Sequence, residues 1–246
     1  MEKSYKFRLY PSKEQEILLQ KTFGCVRFVY NHFLFQRKEL YETTGNSIGY
    51  VGQSKLLTQL KKELPWLQEP DKYALQNALR NLDAAYRNFF RNVSTGRAPG
   101  YPRFKRKHDH RKSYKTNGNI VILDKAVKLP KLGPVECRVS RPVEGRILSG
   151  TVSQEPSGKY FISICCTDVE MDRLPSTGQA AGVDMGLTDF AVTSDGDKYP
   201  NHKYLAKSEK KLAKLQRRLS RKQKGSRRRE KARIKVARCH EHTLCF

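Results

Sequence analysis

An α+β fold is predicted for this 246-residue chain: a small β-barrel interrupted by a helical insertion, followed by a short β-unit that leads into basic helices. Three observations carry the prediction. Helical periodicity dominates residues 12–94, short strands separated by Pro/Gly turns follow at 119–168, and residues 203–238 form an amphipathic run crowded with Lys and Arg. The length suffices for one large domain or two small ones with a real core. A net charge of +25 and a pI near 10.0 point to a polyanionic partner, nucleic acid before a membrane surface. No apolar run approaches the roughly 20 residues of a spanning helix, and the polar start at Met1-Glu2-Lys3-Ser4 is no signal peptide, so an intracellular, cytoplasmic protein is expected.

Residues 4–9 alternate sides as a strand does, Pro11 ends the run, and Ser12-x-x-Gln15 is a capping-box signature for a helix reaching about Thr22. Gly24 is expected to break that helix. Val26, Val29, Tyr30, Phe33, Arg37 and Leu40 then mark a second one, which Gly45 stops. Two helices hinged at a glycine resemble a helix-turn-helix, and equally a helical hairpin packed on its own core. Further helices are expected at 54–64 and 71–93. The latter carries Leu75, Leu79, Leu82, Tyr86, Phe89 and Phe90 as an apolar stripe. On its other side Lys72 and Gln76 stand one turn apart beside Asn77 and Arg80, a set able to reach phosphates and base edges, or to form an ordinary solvated face.

Between residues 96 and 115 cations alternate with Tyr101, Phe104 and Tyr114 in a Pro/Gly-rich segment. Cations such as Arg103 and Lys105 that meet phosphates, interleaved with rings that stack on bases, suit unpaired or structured RNA better than a DNA major groove. His108 and His110 read as polar surface residues. Strands are expected at 120–123, 126–129, 135–139, 146–154 and 159–167. The strand at 4–9 has no partner among the helices, so it should join this β-domain.

After a linker at 174–179, G-V-D-M-G-L-T-D-F-A-V-T-S-D-G (residues 182–196) places Asp184 on a short apolar strand with Val183 on the opposite side. Asp195-Gly196 suits a two-residue hairpin turn. An aspartate so placed between glycines is how ribonuclease H-like nucleases and actin-like ATPases hold a first metal ligand, and the plainer alternative is an Asp that ends a strand. No second Gly-rich phosphate loop accompanies it, which with the charge favours a polymer over a nucleotide. Residues 203–238 hold 17 Lys or Arg against Glu209 and Glu230, a net +15, with Leu205, Leu212, Leu215 and Leu219 on one helical face. The run is interrupted at Gly225-Ser226, and Arg217, Arg218, Arg221 and Lys222 are candidates for sequence-independent backbone contacts. The six cysteines form no C-x-x-C pair and are expected to be reduced. Cys239, His240, His242 and Cys245 lie within seven residues, but structural zinc usually draws ligand pairs from separated segments, so no zinc is expected.

R-L-Y-P (8–11), G-C-V-R-F-V-Y-N (24–31), L-P-W-L (64–67), A-L-Q-N-A-L (74–79), F-F-R (89–91), G-Y-P-R-F-K (100–105), L-P-K-L-G (129–133), G-V-D-M-G (182–186) and L-S-R-K-Q-K-G-S (219–226) follow in that order. The series resembles the TnpB (OrfB) family of IS200/IS605-type transposons, relatives of the Cas12 nucleases, to about His242. The resemblance implies an RNA-guided DNA endonuclease of a prokaryotic, nucleoid-associated kind. It would bind a structured guide RNA from the transposon end, recognise a short motif flanking its target DNA, and cut with a magnesium-dependent RuvC-type domain. By the same resemblance, 1–11 with 113–178 is a wedge-type β-barrel, 12–112 a helical recognition lobe, and 179–246 a partial RuvC domain. Asp184 matches the first RuvC carboxylate and a Mg²⁺ ligand. Lys72, Tyr73, Gln76 and Asn77 fall where the recognition lobe approaches the duplex, with Tyr50 and Arg80 as further nucleic-acid contacts.

Family members continue after K-x-A-R-x-H-E with a second, glutamate-bearing RuvC motif, a zinc ribbon and a final aspartate. These residues end instead Thr243-Leu244-Cys245-Phe246, off the family pattern. The expectation is a truncated chain that binds without cutting and whose incomplete sheet is marginal, since one carboxylate cannot position two metals. The alternatives are a nuclease-dead RNA-guided repressor, a competitor for the guide RNA, and a general RNA-binding protein.

Overall fold

Tyr5, Phe7 and Leu9 alternate with exposed or half-exposed Lys6 and Arg8 along β1 (Lys3–Tyr10), so one side of the strand is core from its first turn of pleat. The computed structural model describes residues 1–107, 109, 111–170, 175 and 177–243, without the side chains of Tyr204, Leu205 and Lys207. The expectations for His108, His110, the start of the 174–179 linker, the Leu205 side chain and Cys245 lie outside the described residues.

β1 joins the β-domain as expected, and at its centre. Six further strands, β2 (Lys112–Thr116), β3 (Val121–Ile122), β4 (Ala126–Leu129), β5 (Gly133–Arg138), β6 (Arg146–Gln154) and β7 (Tyr160–Thr167), complete a sheet in the order β2-β6-β7-β1-β5-β4-β3. Every pairing is antiparallel. Register places Tyr114 opposite Val152, Val152 opposite Ile162, and Ile162 opposite Phe7, one buried row across four strands. A closed barrel was the expectation, and it is corrected: among the described residues β2 and β3 are free edges and the sheet is open. Strand alternation predicts a buried face, but not what buries it, and here helices do so.

α1 (Lys13–Thr44) is one helix of 32 residues that runs through Gly24, in place of the two helices expected. An interior glycine costs only about 1 kcal/mol against alanine. Leu19, Phe23, Val26, Val29, Phe33 and Leu34, on both sides of it, share one core whose burial outweighs that cost. The capping box at Ser12 and Gln15 is formed, and Gly45 closes the helix in the left-handed conformation. Along its first turns α1 is tied across the sheet: the Gln15 amide donates to the carbonyls of Leu132 and Pro134, the Gln20 amide donates to Gln154 and the Tyr160 hydroxyl, and Phe23 packs on Tyr114 with centroids 5.7 Å apart.

α2 (Tyr50–Glu63) and a 3₁₀ turn (Pro65–Gln68) lead to α3 (Lys72–Ser94), which packs on α1; Leu75, Leu79, Leu82 and Tyr86 of its predicted stripe are buried, whereas Phe89 is half-buried and Phe90, at its far end, is 55% exposed. Asp71 caps α3 by accepting from the Tyr73 amide, and its other oxygen accepts from the buried Thr116 hydroxyl, which joins the helix to β2. Arg37 of α1 is buried between Asp83, 3.6 Å away, and the face of Tyr86, 3.9 Å away.

The chain divides into two compact units, the first comprising Met1–Glu155 and Lys159–Glu170, the second Pro156–Gly158 and Met171–Phe246. The second holds an antiparallel sheet β10-β9-β8, of β8 (Val183–Asp184), β9 (Asp189–Thr193) and β10 (Lys198–Pro200), and a helical hairpin of α4 (Tyr204–Ser220) and α5 (Arg227–Thr243). Four residues, 194–197, connect β9 to β10 rather than two. Thr193 donates to the Asp197 carbonyl, and Gly196 adopts φ 91°, the bulged hairpin that a left-handed glycine permits.

Burial pushes the hydroxyls of Tyr30, Tyr86, Tyr114 and Tyr160 above the ordinary tyrosine value of 10.0. The unfolded chain therefore releases these protons first as pH rises. Stability is expected to hold below about pH 10 and to fall above it, as a Tm series from pH 8 to 11 would show. Burial also raises Cys137 to about 11, and Cys25, Cys137, Cys165, Cys166 and Cys239 are all free thiols, as expected.

Candidate nucleic-acid interface

α3 divides the predicted polar set. Lys72 and Arg80 are exposed, and each has its cation over a neighbouring ring: Lys72 over Tyr73 at 5.1 Å, Arg80 over Tyr50 at 5.3 Å. Gln76 is half-buried, and its amide makes no hydrogen bond among the described residues. Asn77 departs from expectation. It is 5% exposed and donates to the Lys115 carbonyl and to Asn117, both at 2.9 Å, so its amide is spent on docking α3 against β2. Helical periodicity put it on the polar side, but only the distant strand reveals its partners.

Tyr73 packs on Gly118 and lines a cleft of about 890 Å³ between α2, the start of α3 and the β4–β5 turn. Five lysines line it: Lys61, Lys62, Lys72, Lys128 and Lys131. Burial holds the Lys61 ammonium below its usual value; Asp71 opposes the shift, and Lys131 and Lys72 add to it. Such a site favours an anion. Sequence reasoning missed all but Lys72, because the others come from separate elements and show no linear pattern.

The predicted aromatic–cation segment also splits. Phe104 is 52% exposed, and Arg103 is exposed without an ion pair among the described residues. Tyr101 is anchored: its hydroxyl lies 3.0 Å from that of Tyr86, and its ring stands edge-on to Tyr86 and Phe89. Lys105 is fixed at both ends. Asn31 accepts from its amide at 2.8 Å and donates to its carbonyl at 2.9 Å, while its ammonium sits 4.3 Å from the Tyr30 ring centre. Burial holds that ammonium below its usual value. Tyr114, expected among the stacking rings, is 5% exposed in the sheet, so that expectation is corrected.

In the second unit the basic run folds as predicted into two helices separated at Gly225, which has φ 83°. Half-buried Leu212, Leu215 and Leu219 mark the inner face, and Ala232 and Cys239 are buried. Arg229 donates to the carbonyls of Leu219 and Lys222 at 3.0 and 2.9 Å, satisfying the end of α4 and setting the hairpin turn. Arg217, Arg218, Arg221 and Lys222 are exposed without ion pairs among the described residues. The last three line a cleft of about 500 Å³ with Arg228, Lys231 and Lys235.

Asp184 pairs with Val192 on the exposed strand β8. A Cβ on Gly186 would stand 3.1 Å from the Asp189 carbonyl, so this glycine serves the chain's own turn. Val183, Met185, Leu187, Phe190 and Tyr199 around it are exposed. No three His, Cys, Asp or Glu among the described residues are grouped to hold a metal. No helix among them is long and apolar enough to cross a membrane.

A lysine-lined cleft, an arginine–aromatic segment and an arginine-rich helical hairpin are the basic surfaces of the chain. Residues 1–46 match the helix-turn-helix domain of the OrfB IS605 proteins, and residues 163–245 match the domain of the same proteins described as "Probable transposase". The chain belongs to the TnpB (OrfB) family of IS200/IS605-type transposons. It is 39% identical, over 98% of its length, to a "Putative RNA-guided DNA endonuclease" of Streptomyces pristinaespiralis, and 34% identical, over 96%, to InsQ of Escherichia coli K12, which bears the same description. The chain spans 60% and 58% of these relatives. A chain in the cryo-EM structure of a Cas12f1–sgRNA–target DNA complex superposes with a TM-score of 0.48 at 10% identity, over 99% of this chain and 76% of that one, too loosely to bear on function. The stretch matched as a helix-turn-helix is here β1 and the unbroken α1.

Proposed function

We propose that the chain binds a structured guide RNA from the transposon end and through it holds target DNA, as an RNA-guided DNA-binding protein of the TnpB type. The observation that carries this is the α4–α5 hairpin, whose six clustered cations can bind a phosphate backbone without reading its sequence. Exposed Phe104 beside Arg103 supports stacking on unpaired bases. Lys72 and Tyr73, which line the lysine-rich cleft, are the proposed contacts to the motif flanking the target, together with Gln76 one turn on along α3 and the Arg80–Tyr50 pair.

Cleavage by the family would require magnesium held by several carboxylates. The donor set around Asp184 does not fit a two-metal centre, because no second and third ligand accompany it among the described residues. The reading for this 246-residue polypeptide is therefore binding without cutting, which suits a repressor or a competitor for guide RNA. Loaded with guide RNA and magnesium, it is expected to leave a target plasmid supercoiled, and guide-dependent nicking on a gel would overturn that. Sequencing the RNA that copurifies should show transposon-end transcripts. A population of ribosomal and transfer RNA would replace the guide reading with general RNA binding.

A further inference from the structure

Gly24 occupies a position where the fold gives it no task. It lies in the interior of α1, where glycine is worse than alanine, yet a Cβ placed on it would meet nothing within 4 Å. Neither packing nor backbone conformation within the chain calls for the missing side chain. Gly24 is half-buried and lines a groove of about 650 Å³ between α1 and the described residues of the segment 105–113. Gln20 and Arg27, one turn to either side, share its helix face.

The wall opposite is basic and held in place. The Asn31 bracket around Lys105 fixes one end of the segment against α1, and Lys112 donates to the side-chain amide oxygen of Gln20 at 2.9 Å. Arg106 and Lys107 face the groove, and neither they nor Arg27 make an ion pair among the described residues. The acidic residue of the lining, Asp109, accepts from the Arg106 amide. A helix face stripped of its side chain, opposite unpaired cations, suits a ligand that is anionic and needs the helix backbone close.

We propose that Gly24 opens α1 to close approach by the sugar–phosphate backbone of a bound nucleic acid, seated between Arg27 and the Arg106–Lys107 wall. This rests on the nucleic-acid binding proposed above. An RNA stem and a DNA duplex share the chemistry, and the test separates them. Gly24→Ala, Gly24→Leu and Arg27→Gln chains are titrated by fluorescence anisotropy against a labelled hairpin RNA and a labelled duplex DNA, with Tm measured alongside.

Gly24→Ala is expected to raise Tm by about 2–4 °C while weakening at least one probe about tenfold, an opposition of signs that a merely structural glycine would not give. Gly24→Leu should weaken the same probe further. Arg27→Gln should weaken it too and lower its salt slope by about one. Loss confined to the hairpin supports the proposal and assigns the groove to RNA; loss confined to the duplex supports it and assigns DNA. Unchanged affinity in both glycine variants, for probes the parent chain binds, overturns this inference and leaves the proposed function standing. A lower Tm in Gly24→Ala would show that the fold itself needs the glycine and would also overturn it. If the parent chain binds neither probe, both proposals fall.

Discussion

Replacing Arg217, Arg218, Arg221 and Lys222 together with glutamine is expected to lower affinity for guide RNA a few hundredfold near 0.15 M salt. The plot of log K against log salt should flatten by about three, because each lost phosphate contact removes roughly 0.7–0.9 of slope. The four side chains are exposed and make no ion pairs among the described residues, so the fold should not register their loss. Arg229, eight residues past Arg221, is the contrast. Its guanidinium is spent on the carbonyls of Leu219 and Lys222, so Arg229→Gln should loosen the hairpin first and affect binding only through it. Anisotropy titrations from 50 to 300 mM KCl, with circular dichroism, separate the two. An unchanged slope in the fourfold variant would remove the hairpin from the interface.

The second large effect is on stability. Tyr114→Ala is expected to cost about 3–5 kcal/mol, the range for emptying a large aromatic site in a core. Its ring is buried against Phe23 and pairs across the sheet with Val152. Phe104→Ala, ten residues earlier in the same basic segment, should change stability by less than about 0.5 kcal/mol yet weaken RNA binding by about 1–3 kcal/mol. Urea unfolding and RNA titration of the two variants should therefore give opposite rankings. Equal destabilisation by both would mean that Phe104 packs in the core.

That pair marks the boundary of what the sequence made legible. Both rings sit among cations in one Pro/Gly-rich stretch, and what separates them is the pairing of β2 with β6, some 40 residues away. Asn77 was misplaced for the same reason, its partners being Lys115 on β2 and Asn117 just past it. Gly24 was misread because local propensity, worth about 1 kcal/mol, was set against burial that only the assembled core supplies. Features whose causes are local read correctly. The capping box, the left-handed stop at Gly45, the apolar stripe of α3 as far as Tyr86 and the break between α4 and α5 each depend on residues a few positions apart. Closure of the sheet was not legible, since alternation along a strand looks the same under a helix as inside a barrel. Of the candidate site, the cations of α4 and its following turn were read from charge and period, whereas the lysine-lined cleft exists only once α2 and the β4–β5 turn meet.

The central place of β1 has a consequence for how the protein is made. Tyr10 emerges early, but the β7 partner that flanks β1 along most of its length ends at Thr167. At about 5–20 residues per second, roughly 150 further residues take on the order of 10–30 s to synthesise. Throughout that interval Tyr5, Phe7 and Leu9 belong to a nascent chain whose middle strand has no completed sheet to enter. The ribosome-bound intermediate thus carries an apolar strand without its main partner, and slowing translation between residues 10 and 160 should lower the soluble yield.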